Sequence, residues 1–304
     1  MPFEHACEPL ITQYRQMQAA GATQKDLTDI RNQIQQQKIE LYQKLSAWDV
    51  CHIARHPDRP HAPDVIQAIT STFVPLSGTR SAPDDPSVIC GLAQIGHSRA
   101  IICAQDKGRT PEEKNACHFG MSSPAGFRKA LRAAQLAEKF QIPLITIIDT
   151  PGALPTVDAE SSNQSEAIAR NIFAFSALRT PIISIILGEG MSGGALALAV
   201  CDSIAMCEYA VFSVISPEGC AAILWKDRAQ AEQAANAMHI TAPALAQHGF
   251  IDHIISEPTL GAHTDPAMVC EGIKQYILQS LEAYQDMNSD ELIAQRRKRY
   301  EHMG

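Results

Sequence analysis

Two glycine-rich turns carry the residue types best suited to chemistry. Asp149-Thr150-Pro151-Gly152-Ala153 follows the apolar run Pro143–Ile148, and Gly188-Glu189-Gly190-Met191-Ser192-Gly193-Gly194-Ala195 follows Pro181–Leu187. Each turn opens onto a stretch with helical character. A strand that ends in glycines at a helix start leaves several backbone N–H groups unpaired and aimed at one spot. Two such spots in one domain suit a reaction that builds negative charge on oxygen, because backbone donors and helix dipoles stabilise oxyanions without an acidic side chain. The same glycines also permit close strand–helix packing, and the pattern alone leaves both readings open.

Side chains around the turns are less specific. Asp149 and Glu189 sit at strand ends, where a carboxylate serves as a general base or as a buried cap. Ser216-Pro217-Glu218 reads as a helix start, with Ser216 as N-cap and Pro217 at the first helical position. No Ser-His-Asp order and no nucleophile elbow is evident, since Gly188-Glu189-Gly190 carries no nucleophile. The eleven histidines are scattered and read as no metal site. Nine cysteines at irregular spacings, with no Cys-x-x-Cys pair, read as small buried hydrophobes in a reducing compartment, with no metal bound.

The elements that position the turns follow from periodicity. Residues 1–22 show little pattern, and Asp26 to about Trp48 has apolar residues near helical spacing, predicting one long amphipathic helix outside the main core. That helix reads equally as a plain surface element or as a packing arm for a partner. Prolines 57, 60 and 63 break it, and Ile66 to about Leu76 suggests another helix. Val88–Ile95 and Arg99–Ala104 look like a β pair joined at Gly96-His97-Ser98. Lys107–His118 is charged and reads as a surface loop. Beyond Gly120, helices near 124–140, 165–178 and 194–201 alternate with strands near 143–149, 181–187, 203–207 and 210–215. Continuous apolar strands between helices indicate an α/β layered fold buried on both faces. The charged run Gln295–Arg299 reads as a solvated helix end rather than a nucleic-acid patch.

A chain of 304 residues with 45% apolar and 19% charged residues can bury a sizeable core. A net charge of −8 argues against a dedicated nucleic-acid binder. No run approaches the ~18–20 apolar residues that cross a bilayer, and the first residues show neither a basic flank nor an apolar core of a secretory signal. The expected location is cytoplasmic.

At the level of motifs the chain resembles the alpha subunit of the carboxyltransferase component of bacterial acetyl-CoA carboxylase. The resemblance rests on Ala54-Arg55-His56-Pro57, Lys107-Gly108-Arg109, Phe119-Gly120-Met121 and Gly126-Phe127-Arg128-Lys129-Ala130-Leu131. It continues through the Ile148–Ala153 turn, Gln164–Asn171, Gly188-Glu189-Gly190, Ser192–Ala197, Ser213–Ala221, Ile223–Lys226 and Gly261-Ala262-His263. These segments are colinear from about residue 40 to 265. The resemblance implies a crotonase-like spiral of ββα units over residues 63–280, an N-terminal helical extension over 1–62 and a C-terminal helical tail over 281–304. It also implies an α2β2 carboxyltransferase whose site lies between subunits. The beta subunit of that family carries a zinc ribbon and most of the CoA site, while alpha faces carboxybiotin on a separate biotin carboxyl carrier protein. The implied reaction moves the carboxyl group to acetyl-CoA, giving malonyl-CoA. Gly193 and Gly194 then become the main anion-stabilising backbone on the biotin side, with Gly152 and Ala153 as the second nest. Met191, Ser192 and Leu154 line the site. Arg55, Lys107, Arg109 and Arg128, all in matching segments, could hold a carboxylate or the CoA phosphates, or pair with surface acids.

Three departures stand out. Gly152-Ala153-Leu154-Pro155-Thr156 replaces the family's Gly-Ala-Tyr-Pro-Gly, and Gly190-Met191-Ser192-Gly193-Gly194 replaces Gly-Gly-Ser-Gly-Gly. An arginine-rich run before Phe119 is replaced by Ala116-Cys117-His118. If position 191 requires a positive φ, its methionine strains the turn by on the order of 1 kcal/mol. These changes raise two alternatives: a diverged acyl-thioester decarboxylase or carboxyltransferase, and a silent partner that assembles a true carboxyltransferase.

Overall fold

The computed structural model describes residues 1–79 and 83–303. A 3-10 turn (Pro2–Cys7) leads into α1 (Glu8–Ala19) and α2 (Gln24–Tyr42). The patternless first residues are therefore helical. Helix α1 has no fully buried residue and packs on α2, so little core-facing periodicity is impressed on its sequence. The single helix expected over 26–48 is two helices. Helix α2 stops at Tyr42, and Ser46 caps a new one, α3 (Ala47–Ala54), through a capping box with Asp49. Helix α3 belongs to the body, because Val50, Cys51, Ile53 and Ala54 are buried.

Helix α4 (Ala62–Ile69) ends earlier than its apolar pattern suggested, and the next residues form β1 (Thr72–Pro75). The β-branched Thr70, Thr72 and Val74 favour extension, and β1 gains a partner in the antiparallel β2 (Val88–Ile95). Strand β3 (Ser98–Gln105) completes the predicted hairpin. The segment expected as a loop contains α5 (Pro111–Ala116), capped reciprocally by Thr110 and Glu113. Helix α6 (Pro124–Phe140) has the predicted bounds.

A regular strand–helix alternation follows: β4 (Leu144–Thr150), α7 (Val157–Ser161), α8 (Gln164–Ala177), β5 (Ile182–Met191) and α9 (Ser192–Ala199). Next come β6 (Ser203–Cys207), β7 (Val211–Ser213), α10 (Pro217–Leu224), α11 (Ala231–Ala237), α12 (Ala242–Gln247) and β8 (His253–Ile255). Two helices, α13 (Pro266–Ala283) and α14 (Ser289–Glu301), end the chain.

The eight strands form one sheet in the order β1-β2-β3-β4-β5-β6-β8, with β7 also paired to β5. From β3 onward every pairing is parallel, and every residue of β4 and β5 is buried. Helix α6 packs on β2 and β3, α9 on β4 and β5, and α13 on β5, β6 and β8. The parallel strands therefore end side by side, which is where α/β sheets place their sites. The charged tail differs from its expectation. Arg296 is buried, pairs with Asp202 at 2.6 Å, and donates to the carbonyls of Phe175, Leu178 and Thr180. No helix among the described residues is long and apolar enough to cross a membrane.

Candidate active site

Both glycine turns lie at the ends of neighbouring parallel strands, and they touch. A Cβ added at Gly194 would stand 2.4 Å from the Gly152 carbonyl carbon and 2.6 Å from the Ala153 nitrogen. No side chain fits there, so the first turn of α9 rests directly on the Gly152–Ala153 peptide. The packing reading of Gly194 is thus correct, and it brings the two nests into one place.

Their donors are not equivalent. The Gly152 N–H is occupied by its own loop, donating to Thr150 Oγ1 at 3.1 Å. That hydroxyl also lies 2.7 Å from the Gly120 and Gly152 carbonyls. The Leu154 N–H donates to the Ser122 carbonyl at 3.1 Å. Ala153 N–H, between them, has no partner among the described residues. Helix α9 has no side-chain cap, so its first-turn N–H groups lack intrahelical partners. Free donors therefore come from Ala153 and from the start of α9.

The second turn is shorter than its sequence suggested. Gly188, Glu189, Gly190 and Met191 are all strand, because β5 continues to pair with β7. Met191 has an extended backbone (φ −109°) and a fully buried side chain packed with Val50, Cys51, Ala54 and Val211. The strain expected at 191 is absent, and its side chain adds no bulk to the site. The strain sits one residue on: Ser192 has φ 61°, left-handed and unusual for a side-chain-bearing residue. Gly190-Met191-Ser192-Gly193-Gly194 in fact has the Gly-x-Ser-x-Gly spacing at a strand–helix junction. The elbow missed in the sequence is present, offset from Gly188-Glu189-Gly190 by two residues. No base is hydrogen-bonded to the Ser192 hydroxyl among the described residues, so the elbow presents a hydroxyl without a triad.

Beside this junction opens a cavity of about 500 Å³. Its lining includes Ser192, Gly193 and Leu196, then Phe212 and Val214, and from the C-terminal end Tyr300 of α14 and Met303 just beyond it. Tyr300 holds the wall in place, accepting the Cys201 N–H at 2.8 Å with its hydroxyl. The contribution of the C-terminal helix carries no local sequence signal, since it depends on where α14 docks.

A charged network braces the strand ends. The β4–β5 register shifts between Ile148 and Thr150, where β5 carries the extra residues, and at this bulge Asp149 accepts the Glu189 N–H at 2.8 Å. Lys107 Nζ lies 2.7 Å from Asp149 Oδ1 and 2.8 Å from Glu189 Oε2. Arg55 takes the other Glu189 oxygen at 2.6 Å and reaches Glu218 at 2.5 Å. Burial alone would raise the Glu189 carboxyl, but Lys107 and Arg55 outweigh it and hold the group below its ordinary value. Burial would lower the Lys107 ammonium, and Asp149 and Glu189 outweigh that and raise it. Gly188 fits this arrangement, since a Cβ there would meet Asp149 Oδ1 at 2.7 Å. Asp149 thus caps a neighbouring strand rather than its own turn.

The remaining cations divide. Arg55 and Lys107 are committed to this network. Arg109 is exposed and pairs with Asp64, and Arg128 contacts the Ser162 carbonyl at 2.9 Å and Glu166 at 3.6 Å. Ser216 caps α10 as expected, accepting the Gly219 N–H at 3.1 Å. Among the described residues no cluster of three His, Cys, Asp or Glu side chains could hold a metal ion.

Comparison with known proteins bears on these features together. A family model described as acetyl co-enzyme A carboxylase carboxyltransferase-like matches residues 1–304. The chain is 44% identical over 304 residues to the acetyl-coenzyme A carboxylase carboxyl transferase subunit alpha of a Nitratiruptor species, covering 100% of this chain and 97% of that protein. It is 46% identical over 265 residues to the protein of the same name from a Sulfurovum species, covering 87% and 85%. Among solved structures, transcarboxylase 12S with methylmalonyl-coenzyme A and methylmalonic acid bound aligns with TM-score 0.62 at 20% identity, over 75% of this chain and 42% of that one. That likeness establishes the crotonase-like α/β fold.

Proposed function

This chain belongs to the acetyl-CoA carboxylase carboxyltransferase family, as a transferase subunit of the alpha type, and from that premise we propose how its site works. It pairs with a zinc-ribbon beta subunit as α2β2 and moves a carboxyl group from carboxybiotin, delivered on a separate carrier protein, to acetyl-CoA, giving malonyl-CoA. Carboxybiotin supplies the carboxyl group. This chain supplies places for negative charge, on the ureido oxygen as the carboxyl leaves and on the thioester oxygen as its α-carbon loses a proton.

The observation that supports this reading is the contact of the two turns beside an apolar cavity. Gly193 lines the cavity, Gly194 beside it sits on the Gly152–Ala153 contact, both in the first turn of α9, and Ala153 offers an unpaired N–H across that contact. Losing one such donor typically costs about 3–4 kcal/mol of transition-state stabilisation. Gly152 serves by shape, since Thr150 takes its N–H. A cavity of about 500 Å³ lies within the usual range for small-molecule sites, and its apolar walls suit a fused bicyclic urea whose polar edge meets the α9 N-terminus. Acid–base work falls to the substrates, since Asp149 and Glu189 are held in ion pairs. Arg109 and Arg128 remain accessible to phosphates of the acyl carrier, while Leu154 and Ser192 border the turns. Unstrained Met191 gives no reason to assign an unusual acyl group.

The reading is tested with the reconstituted alpha–beta complex given malonyl-CoA and biocytin, in which carboxybiocytin and acetyl-CoA should form together. Acetyl-CoA released without any biocytin requirement would mark a decarboxylase instead. An assembled complex with no turnover would mark a silent partner.

A further inference from the structure

Gln105 is the last residue of β3 and is fully buried. Its Nε2 donates to the Gly194 carbonyl at 2.9 Å and lies 3.5 Å from Ser122 Oγ. Only the amide nitrogen can donate to a carbonyl, so its orientation is set by chemistry. Strand β4 lies between β3 and β5, so this side chain crosses from one side of the first turn to the helix that follows the second. Ser122, also buried, is the hub on the other side. Its carbonyl accepts the Leu154 N–H at 3.1 Å and the Gln164 amide at 2.8 Å, and its backbone bridges Ala153. One amide therefore touches both turns: Gly194 directly, and Ala153 through Ser122.

The same side chain leaves its Oε1 buried with no partner among the described residues. An unpaired buried acceptor is destabilising. A methionine of similar length would fill the space without it, so packing alone does not account for an amide here. Its donor does.

We propose that Gln105 is a positioning residue for carboxyl transfer, resting on the functional reading above: its amide holds the two glycine turns at one separation and so keeps the Ala153 and Gly193–Gly194 N–H groups aligned on shared substrate. A lateral tie of this kind matters because the first turn of α9 has no side-chain cap of its own to fix it.

The test compares wild type with Gln105→Met and Gln105→Glu, each as the complex with its beta subunit, by carboxybiocytin formation. Gln105→Met should lower kcat on the order of 100-fold, the scale of a 1 Å misplacement, with KM for malonyl-CoA little changed and the melting temperature within a few degrees. In Gln105→Glu a neutral carboxyl can still donate to the Gly194 carbonyl, whereas an ionised one cannot. Burial raises a carboxyl pKa, so this variant should be active at low pH and lose activity as pH rises, a limb absent from wild type. Lys107, Asp149 and Glu189 at the strand ends, and Asp106 with its partner His61, are present in both proteins, so the comparison with wild type isolates the added carboxyl. Hydrogen exchange supplies a readout free of the reaction: peptides spanning 150–155 and 191–196 should exchange faster in isolated Gln105→Met, with the rest of the chain unchanged. Wild-type kcat in Gln105→Met, or unchanged exchange in those peptides, overturns the proposal. If the wild-type complex forms no carboxybiocytin while exchange responds as stated, the reaction assignment fails and the tie between the turns stands.

Discussion

Gly194→Ala adds one methyl where the two turns meet. Its Cβ would stand 2.4, 2.6 and 2.7 Å from three backbone atoms of Gly152 and Ala153, where ordinary contact begins near 3.4 Å. No flexible side chain can swing away, so the turns must part by about 1 Å. A displacement of that size between aligned groups lowers turnover on the order of 100-fold, or about 2.7 kcal/mol of transition-state free energy. Overpacking also destabilises, by about 1–3 kcal/mol, which in a chain of this size lowers Tm by roughly 1.5–5 °C. Gly193→Ala is the comparison. Its Cβ would meet only the Ile168 side chain, at 3.5 Å, and its N–H is kept, so its loss should stay within about tenfold. The assay is carboxybiocytin formation by the reconstituted complex well below Tm, normalised to the folded fraction by circular dichroism. Turnover within threefold of wild type for Gly194→Ala would refute the claim that turn separation governs the rate. So would equal damage from the two substitutions.

Three further outcomes follow from the same geometry. Ser192→Gly removes a side chain from a φ of 61° and should stabilise the chain by about 1 kcal/mol, read as a higher Tm; a lower Tm would mean that the left-handed backbone carries no strain. Glu189→Gln breaks a buried pair shared by Lys107 and Arg55 and should cost about 3 kcal/mol in a denaturant titration, the low end for such pairs because Asp149 and Glu218 keep partial partners. Because the Glu189 carboxyl is held below its ordinary 4.5, its stabilisation is full above about pH 4.5 and disappears as pH falls through the lowered folded value, so the acid limb of Tm against pH should flatten in the Gln variant. Arg296→Met strands Asp202, 3% exposed at its side chain, and should cost about 3–5 kcal/mol with a loosened α14 and a more open cavity wall; an unchanged Tm would show that the tail is dispensable.

Legibility followed the range of the interactions. Helix α6, the β2–β3 hairpin and the buried strands β4 and β5 are written locally, in caps, turn residues and continuous apolar runs, and their placement was plain from the residues. The break between α2 and α3 was also local, in Ser46 and Asp49, but apolar residues on both sides at near-helical spacing masked it. Helix α1 lacked a signal because it has no core to face. The Arg296 side chain looked like one charge in a solvated run, and only the docking of α14 gave it Asp202.

Chain order and residue type alone determined that two glycine turns end adjacent apolar strands and open onto helices, and motif by motif they pointed to the carboxyltransferase alpha family. Those properties are short-range: a turn needs its own few residues, and a motif is a string. Which donors remain free was decided only in three dimensions. Thr150 consumes the Gly152 N–H, continued pairing with β7 makes Met191 strand and shifts the strain to Ser192, and Gln105 reaches past β4 to the helix at Gly194. A hydrogen bond between residues 89 positions apart leaves no periodicity in the chain, because its geometry is set by the sheet that brings the two ends together.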